Sequence, residues 1–433
     1  MKSVTFAIVA TAALGIAQDT AMFRGNPAHT GVYQATGVPE LKSLKWKFQT
    51  GGKVISSPVL SGGTVFVGSY DENLYAVDAA GGKLKWKFKT QGPVLSSPAV
   101  AYGMVYFGSY DGQFYALDVR TGQPKWKFAT EGERRFEAVG GNSLWPPQQT
   151  IPDLWDCYLS SPAVADGIVY FGSGDGKLYA LDAETGAIKW RFVTHGVVHA
   201  SPAVADGTVY FGSWDTFFYA VDAATGQEKW HFKTGEDSQF HNQTGIQSSA
   251  AVADGLVYFG CRDAHLYALD VKNGKLVWSY PTNGSWIITS PAVRDGTVYF
   301  ETSDTSLFRA VEAKTGKDKF SLQAAQLFLF SSPALAGDIA YFGSFDGRFY
   351  AVDLKNAKFA WQFQTEASKQ HLAKFLGPNG KISYDLIFTS RQWEVAALDI
   401  ERLHSVGSIL SSPAVGDGAV YFGSTDGNLY ALE

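Results

Sequence analysis

Residues 169–192, VYFGSGDGKLYALDAETGAIKWRF, contain three short apolar runs that are separated by an Asp-Gly pair and a Thr-Gly pair. The Asp-Gly pair at 175–176 lies between two runs rich in β-branched and aromatic residues, which predicts a tight hairpin with a type I′ turn. In the third run, residues 188–192, apolar side chains alternate with two cations, as in a strand with one solvent-facing side. The stretch therefore predicts three strands of a small antiparallel sheet that ends in an exposed edge strand.

This pattern recurs through nearly the whole chain, mostly at intervals of 40 to 42 residues. The edge-strand aromatic residue recurs at Trp46, Trp86, Trp126, Trp190, Trp230, Trp278, Phe320 and Trp361. A proline after serine, replaced once by alanine, recurs at Pro58, Pro98, Pro162, Pro202, Ala250, Pro291, Pro333 and Pro413. The turn aspartate recurs at Asp71, Asp111, Asp175, Asp215, Asp263, Asp304, Asp346 and Asp426. Eight copies with four strands each predict an all-β, eight-bladed β-propeller of four-stranded antiparallel blades.

The two ends of the repeat region predict how the propeller closes. Leu44–Thr50 reads as an edge strand without its blade, and Leu429–Glu433 reads as a third strand without its edge strand. We expect the N-terminal strand to complete the last blade, because pairing the two segments removes the open sheet edges between the termini.

The rest of the sequence limits the classes of protein to which the chain can belong. Residues 1–17 combine Lys2, a short apolar stretch and small residues before Gln18, which predicts a signal peptide and a periplasmic or secreted protein. We expect an N-terminal lead-in at 18–43, a single propeller domain at 44–433, no transmembrane segment and a monomer. The net charge of −5 without long charge runs gives no support for nucleic-acid binding. Cys157 and Cys261 could pair in an oxidising compartment, although two separate thiols are favoured.

The repeat resembles that of the pyrroloquinoline quinone (PQQ) propeller superfamily, A-x-D-x-x-T-G-x-x-x-W. The matching residues here are Ala180, Asp182, Thr185, Gly186 and Trp190, and the resemblance covers roughly residues 44–433. The segment MFRGNPAHTGVY, residues 22–33, is similar to the lead-in of secreted bacterial PQQ-repeat proteins. The resemblance implies that the eight edge-strand aromatics dock against neighbouring blades. It does not decide activity, because the superfamily contains both quinoprotein dehydrogenases and non-enzymatic propellers similar to BamB.

All irregularities of the repeat fall on one face of the predicted propeller. The insertions at 131–158, 236–247 and 366–409 connect an edge strand to the next inner strand, on the side of the second-to-third strand turns. Loops on a rigid scaffold concentrate function. In the last insertion, apolar residues at helical spacing predict a short amphipathic helix with a capping box formed by Thr389 and Gln392. A degenerate ninth blade is the alternative interpretation.

Polar and aromatic residues gather on this face in blades three to six. The candidate binding residues are Arg134, Arg135, Trp155, Asp156, His199, Trp214, Glu236, His241, Asn242, Arg262, Trp286 and Glu301. Glu301 replaces the glycine of the repeated YFGS motif. The residue before each turn aspartate varies between blades, which predicts that it lines the mouth of the central funnel. The turn aspartates themselves are interpreted as turn caps rather than as calcium ligands, and no metal-ligand spacing is evident.

Two functions are compatible with these residues. The favoured hypothesis is a non-enzymatic scaffold of the cell envelope that binds a protein or a small ligand on the insertion-bearing face. The alternative is a PQQ- and calcium-dependent dehydrogenase of an alcohol, aldehyde or sugar, which requires a tryptophan to stack on the quinone and a carboxylate base. The absence of adjacent cysteines and of a haem motif weighs against the alternative, so no cofactor is assigned from the sequence and no residue is assigned a catalytic role.

Overall fold

The computed structural model describes residues 21–140, 144–236 and 245–433. Within these residues the strands form eight four-stranded antiparallel sheets and one two-stranded ribbon, so the chain is an eight-bladed β-propeller as predicted. In every blade the two middle strands are almost entirely buried, whereas the outermost strand alternates between buried and exposed positions. This gradient from core to edge is the one that the apolar runs of the repeat predict.

The first four blades are built as follows. Blade 1 consists of β2 (Val59–Ser61), β3 (Thr64–Gly68), β4 (Asn73–Asp78) and β5 (Leu84–Lys89). Blade 2 consists of β6 (Ala99–Ala101), β7 (Met104–Gly108), β8 (Gln113–Asp118) and β9 (Pro124–Ala129), and it is followed by the ribbon of β10 (Glu137–Val139) and β11 (Thr150–Pro152). Blade 3 consists of β12 (Ala163–Ala165), β13 (Ile168–Ser173), β14 (Lys177–Asp182) and β15 (Ile188–Val193). Blade 4 consists of β16 (Ala203–Ala205), β17 (Thr208–Gly212), β18 (Phe217–Asp222) and β19 (Glu228–Lys233).

The remaining blades repeat this plan. Blade 5 consists of β20 (Ala251–Ala253), β21 (Leu256–Gly260), β22 (His265–Asp270) and β23 (Leu276–Pro281). Blade 6 consists of β24 (Ala292–Arg294), β25 (Thr297–Glu301), β26 (Leu307–Glu312) and β27 (Asp318–Gln323). Blade 7 consists of β28 (Ala334–Ala336), β29 (Ile339–Gly343), β30 (Arg348–Asp353) and β31 (Lys358–Gln364). Blade 8 consists of β32 (Ala414–Gly416), β33 (Ala419–Gly423), β34 (Asn428–Leu432) and β1 (Leu44–Gln49).

The ring closes through the N-terminal strand. β1 pairs antiparallel with β34, with Trp46 opposite Ala431 and Phe48 opposite Leu429, so the predicted closure is confirmed. A second closure surrounds the central channel, where the serine before each marker proline accepts a hydrogen bond from the backbone N–H of the equivalent serine in the preceding blade. The ring runs without a break through Ser57, Ser97, Ser161, Ser201, Ser249, Ser290, Ser332 and Ser412 and returns to Ser57. The serine of each Ser-Pro marker therefore belongs to a ring of hydrogen bonds that links every blade to the next.

The hairpin turn of the repeat differs from the predicted type I′. Ser173 pairs with Lys177, so the loop has three residues rather than two, and only its last residue, Gly176, has a positive φ, of 86°. A three-residue loop with a left-handed third residue is a type I turn followed by a bulge. The carboxylate of Asp175 explains the choice, because it accepts the backbone N–H of Lys177 at 3.0 Å and the hydroxyl of Tyr179 at 2.5 Å. The aspartate is thus a turn cap, as interpreted from the sequence.

In six blades the edge-strand tryptophan joins its blade to the next. The indole N–H of Trp190 donates to the carbonyl of Ala223 in blade 4 at 2.9 Å. The ring lies under Gly226, where a Cβ atom would come within 2.6 Å of the indole and where φ is 71°. Only glycine combines this left-handed backbone with so close an approach. The Thr-Gly turn of one blade is therefore shaped around the tryptophan of the preceding one.

The lead-in crosses the channel on the face opposite the insertions. The Arg24 guanidinium donates to the carbonyls of Pro291 at 2.9 Å and Pro333 at 2.5 Å. The backbone carbonyls of Pro27 and Ala28 accept N–H groups from the inner strands of blades 4 and 5. This segment therefore closes one end of the channel, and any ligand that enters along the axis has to come from the insertion-bearing face.

Candidate functional site

The first and last insertions form a joint cap over the funnel. The last insertion contains α1 (Glu366–His371), a 3-10 helix (Leu372–Phe375), α2 (Tyr384–Ile387) and α3 (Trp393–His404). It forms no strand, so the predicted helix is confirmed and the ninth-blade alternative is wrong. The indole N–H of Trp393 donates to the carbonyl of Pro152 at 2.8 Å, and the backbone N–H of Trp145 donates to the carbonyl of Arg391 at 2.7 Å. These bonds join α3 to the β10–β11 ribbon.

The predicted capping box does not form. The residue that caps the N-terminus of α3 is Gln392, whose side chain makes no capping hydrogen bond. The Thr389 hydroxyl instead donates to the carboxylate of Asp399 at 2.9 Å, one turn and a half into the helix. The prediction of a capping box is wrong because Thr389 has another partner. The buried carboxylate of Asp399 accepts both the hydroxyl and the backbone N–H of Thr389.

An apolar cluster fills the axis beneath the cap. Trp155 lies edge-on to Phe328 and Phe330 at ring-centroid distances of 5.1 and 5.6 Å. The Tyr158 hydroxyl lies 3.0 Å from the carbonyls of both Phe330 and Leu410, which belong to the inner connections of blades 7 and 8. The first insertion therefore reaches across the funnel and contacts its far wall.

Cys157 and Cys261 are both buried and unpaired. Burial raises the pKa of the Cys157 thiol to about 12, and the neighbouring Asp156 carboxylate adds to that shift. Both thiols are therefore neutral at physiological pH, and the choice of two separate thiols over a disulfide is confirmed.

A buried arginine is held between two tryptophans in the funnel. The Arg262 guanidinium carbon lies 4.2 Å from the ring centroid of Trp214 and 4.6 Å from that of Trp286. Its nitrogens bind the Asp153 carboxylate at 2.9 and 3.3 Å and the Gln247 amide oxygen at 2.7 Å. The side chain of Arg262 is 0% exposed. A planar guanidinium is suited to this combination of stacking and fork-like hydrogen bonding. The charge of Arg262 is therefore balanced by partners within the protein.

A second buried charge network lies beside blade 3. His199 places Nδ1 2.7 Å from Asp156 Oδ1 and Nε2 3.0 Å from Glu133 Oε1. Burial alone would lower the pKa of His199, but the two carboxylates outweigh it and raise the pKa to about 10. The imidazole is therefore a cation at neutral pH, and Asp156 is occupied by this ion pair and by the backbone N–H of Phe136 at 2.7 Å.

The other candidate residues have varied locations. Arg134 is exposed and donates to the carbonyl of Gly174 at 2.8 Å, and Glu236 is exposed at the end of blade 4. Arg135 interacts electrostatically with Tyr110 and Tyr70. His241 and Asn242 lie outside the described residues.

Glu301 lies in the interior rather than at the funnel mouth. It is 0% exposed, and neither carboxylate oxygen has a hydrogen-bond partner among the described residues. Burial raises its pKa well above the usual value, which Arg24 of the lead-in partly opposes.

The variable residue before the turn aspartate lies against an insertion in half of the blades. In blades 4, 5, 7 and 8 it contacts an insertion directly: Trp214 stacks on Phe136, Arg262 binds Asp153, Phe345 packs on Trp155 and the Thr425 hydroxyl donates to His404. The insertion partners could not be predicted, since the sequence gives no register between an insertion and the blades. Asp153, Glu133 and Gln247 were missed for this reason.

A cavity of about 500 Å³ opens beside the filled axis, between the cap and blades 5 to 7. Its walls are aromatic and come from Trp155, Trp286, Phe328, Phe330 and Phe388. Its polar lining includes Ser285, Asp304, Thr305, Ser390 and Arg391. An apolar cavity of this size with a few polar groups has the anatomy of a ligand site. Of its lining residues, Trp155 and Trp286 are among the candidate binding residues predicted from the sequence, and Asp304 is one of the turn aspartates.

The family follows from comparison with known proteins. A family model described as outer membrane protein assembly factor BamB matches residues 34–146, 134–285 and 239–433. The chain belongs to the BamB family. No curated protein matches the chain significantly. Among solved structures, BamB from Moraxella catarrhalis is 15% identical with a TM-score of 0.63, and the match covers 90% of this chain and 97% of that chain.

Quinoprotein dehydrogenases share the fold as well. A europium-containing methanol dehydrogenase is 17% identical with a TM-score of 0.70, covering 95% of this chain and 97% of that chain. Quinohemoprotein alcohol dehydrogenase from Comamonas testosteroni is 16% identical with a TM-score of 0.68, covering 95% of this chain and 80% of that chain. At these identities the likeness shows the fold alone. No helix within the described residues is long and apolar enough to cross a membrane.

The two buried carboxylates of the funnel do not fit a calcium ion that would accompany PQQ. Tyr158 spans the funnel to the carbonyls of Phe330 and Leu410, and the apolar cluster around Trp155 packs beneath the cap. The carboxylates of Asp153 and Asp156, which are the hard oxygen ligands that calcium prefers, are neutralised by Arg262 and His199. The described residues contain no group of three or more His, Cys, Asp or Glu placed to hold a metal ion.

Proposed function

We propose that this protein is a non-enzymatic binding propeller of the cell envelope, which holds a partner on its insertion-bearing face. The observation that supports the proposal is that one part of the funnel is packed and another part is an open cavity. Beneath the cap, an apolar cluster and two buried charge networks, each neutralised within the protein, pack the funnel, while an aromatic cavity opens toward solvent beside them. A packed interior supports a rigid scaffold, and the cavity supplies a binding surface on that scaffold.

The charge networks favour binding over catalysis. A general base has to lie within hydrogen-bond reach of a substrate proton, and a buried carboxylate that is committed to an arginine or a protonated histidine cannot serve. Asp153 and Asp156 are committed in this way. Their role is structural, because each ties the first insertion to a blade.

The alternative function is a PQQ- and calcium-dependent dehydrogenase of an alcohol, aldehyde or sugar. It is favoured by Trp155 and Trp286, which line the same cavity and are the residue type on which a quinone stacks. An envelope location rests on the predicted signal peptide at 1–17, which lies outside the described residues.

Two assays test the proposal together. PQQ with Ca²⁺ is titrated into the purified mature protein while tryptophan fluorescence and cofactor absorbance are recorded, and dye reduction is measured with a panel of alcohols, aldehydes and sugars. We expect no saturable signal and no turnover. Saturable binding with turnover would establish the dehydrogenase in its place.

The second assay places a photo-crosslinking amino acid at Trp145 on the cap or at Arg120, which is exposed in the third-to-fourth strand turn on the opposite face. We expect a discrete crosslinked species in envelope extracts for position 145 alone. Equal products from both positions would contradict binding through the insertion-bearing face.

A further inference from the structure

We propose that the cavity between the cap and blades 5 to 7 is the anchor pocket of a protein interface, and that it takes a large apolar side chain flanked by an acidic residue. The inference rests on the proposed function and names the chemistry of its partner. Three features of the cavity support it: the fixed aromatic walls, the exposed aromatic residues around the cavity, and the difference between its two charged residues.

The walls are rigid before any partner arrives. Arg262 covers one face of Trp286, and Arg262 is in turn fixed by Asp153. Trp155 is held edge-on by Phe328 and Phe330. A preformed aromatic pocket loses little side-chain freedom on binding, which is the property of sites that receive one anchoring side chain. The volume of about 500 Å³ accommodates such a side chain with its neighbours.

The surroundings of the cavity extend beyond what a small molecule would contact. Trp145 is 54% exposed beside the wall residue Leu144, and Tyr384 is 46% exposed with its ring 6.0 Å from that of Phe328. Tryptophan, tyrosine and arginine are the residues enriched in the energetic centres of protein interfaces. Exposed aromatics around an apolar pocket therefore point to a macromolecular partner that covers both.

The two charged residues of the cavity are not equivalent. The Asp304 carboxylate accepts the Ser303 hydroxyl at 2.6 Å and the backbone N–H of Trp286 at 3.3 Å. The Arg391 guanidinium forms no ion pair or hydrogen bond with any residue in the described part of the chain. One oxygen of Asp304 thus already accepts two hydrogen bonds within the protein, whereas the charge of Arg391 is left for a partner, which favours an acidic residue next to the partner's apolar anchor.

The test uses a displayed library of random dodecapeptides, panned against the full mature chain. Three variants accompany it: Arg391→Glu, Thr305→Trp to fill the mouth of the cavity, and Arg120→Glu as a charge reversal on the opposite face. Thr305, Arg391 and Arg120 are all exposed, and thermal melting verifies that each variant folds.

We expect the wild type to enrich peptides with an aromatic or large aliphatic residue within two positions of Asp or Glu. Binding of a selected peptide should fall about thirtyfold in Thr305→Trp, as for the loss of an interface hot spot, and about fivefold in Arg391→Glu. Panning against Arg391→Glu should replace the acidic residue by Lys or Arg. Arg120→Glu should bind like the wild type.

Three outcomes would overturn the inference: no enriched peptide, enriched peptides that Thr305→Trp still binds, or the same flanking charge selected by wild type and Arg391→Glu. If peptides bind elsewhere on the insertion-bearing face, the pocket assignment fails while the proposed function stands. If the titration with PQQ and Ca²⁺ yields turnover, the proposed function itself fails.

Discussion

Replacing His199 by glutamine should change how the stability of the protein depends on pH. The imidazole is 0% exposed and bridges Asp156 and Glu133, each through one ring nitrogen. Burial lowers its pKa, but the two carboxylates outweigh burial and raise the pKa to about 10, against about 6.5 in an unfolded chain. The folded protein therefore keeps a proton that the unfolded chain releases.

The sign and size of the effect follow from this difference. Stabilisation by the protonated imidazole is complete below pH 6.5 and is lost as the pH rises toward 10. The slope is about 1.4 kcal/mol per pH unit in that window, and the whole contribution is about 5 kcal/mol. His199→Gln removes the charge and leaves two buried carboxylates without a cation, so we expect a loss of about 3–5 kcal/mol at pH 6.5. The gap between wild type and variant should shrink to about 1–2 kcal/mol at pH 9.

Urea unfolding at half-unit steps from pH 6 to 9.5 measures the effect, with histidine proton NMR to read the pKa directly. His195→Gln is the matched control, because His195 lies in the same connection but is exposed. The control should follow the wild type at every pH. A His199 that titrates near pH 6.5, or a gap that stays constant with pH, would refute the assignment of a buried imidazolium.

Three further perturbations test other parts of the structure. Asp153→Ala leaves the buried Arg262 without its carboxylate and should lower the unfolding free energy by about 3–5 kcal/mol, whereas a double variant with Arg262→Met should recover much of the loss in the same urea experiment. Deleting residues 18–50 removes both the channel plug and the closing strand β1, so we expect aggregation in size-exclusion chromatography, and a cooperative, unchanged melt would count against closure. Glu301→Gln removes a carboxyl group whose raised pKa makes folding less favourable as the pH rises above about 4.3. The variant should be about 1–3 kcal/mol more stable than the wild type at pH 7, and it should lose less stability between pH 5 and 7. Equal pH profiles of the two proteins would contradict a raised pKa of Glu301.

The fold could be predicted because each blade repeats the same physical solution. The positions of Trp190, Gly226 and the serine of each Ser-Pro pair are determined by contacts between neighbouring blades. The contact between tryptophan and glycine recurs six times and the serine contact eight times, so both leave a period in the sequence. The turn type was wrong because the side-chain bonds of Asp175, rather than the Asp-Gly pair itself, select the three-residue loop. The local sequence pattern does not show that the side chain of Asp175 will form these bonds.

The site could be predicted only in part, and the reason lies in the insertions. Variation before the turn aspartates drew attention to Trp214 and Arg262, which contact the first insertion. Their partners Phe136 and Asp153 belong to a segment without repeat or period. Arg391 was missed because its significance depends on the cavity it lines, which forms only when the cap packs on blades 5 to 7.

A crystal structure of the mature protein grown with excess PQQ and Ca²⁺ tests the central claim most directly. We predict that Arg262 stays between Trp214 and Trp286, that Tyr158 still spans the axis to Phe330, and that the funnel contains neither the quinone nor the ion. A quinone on the axis or in the adjoining cavity, with a coordinated calcium ion and displaced Tyr158 or Arg262 side chains, would contradict the account and make the protein a quinoprotein.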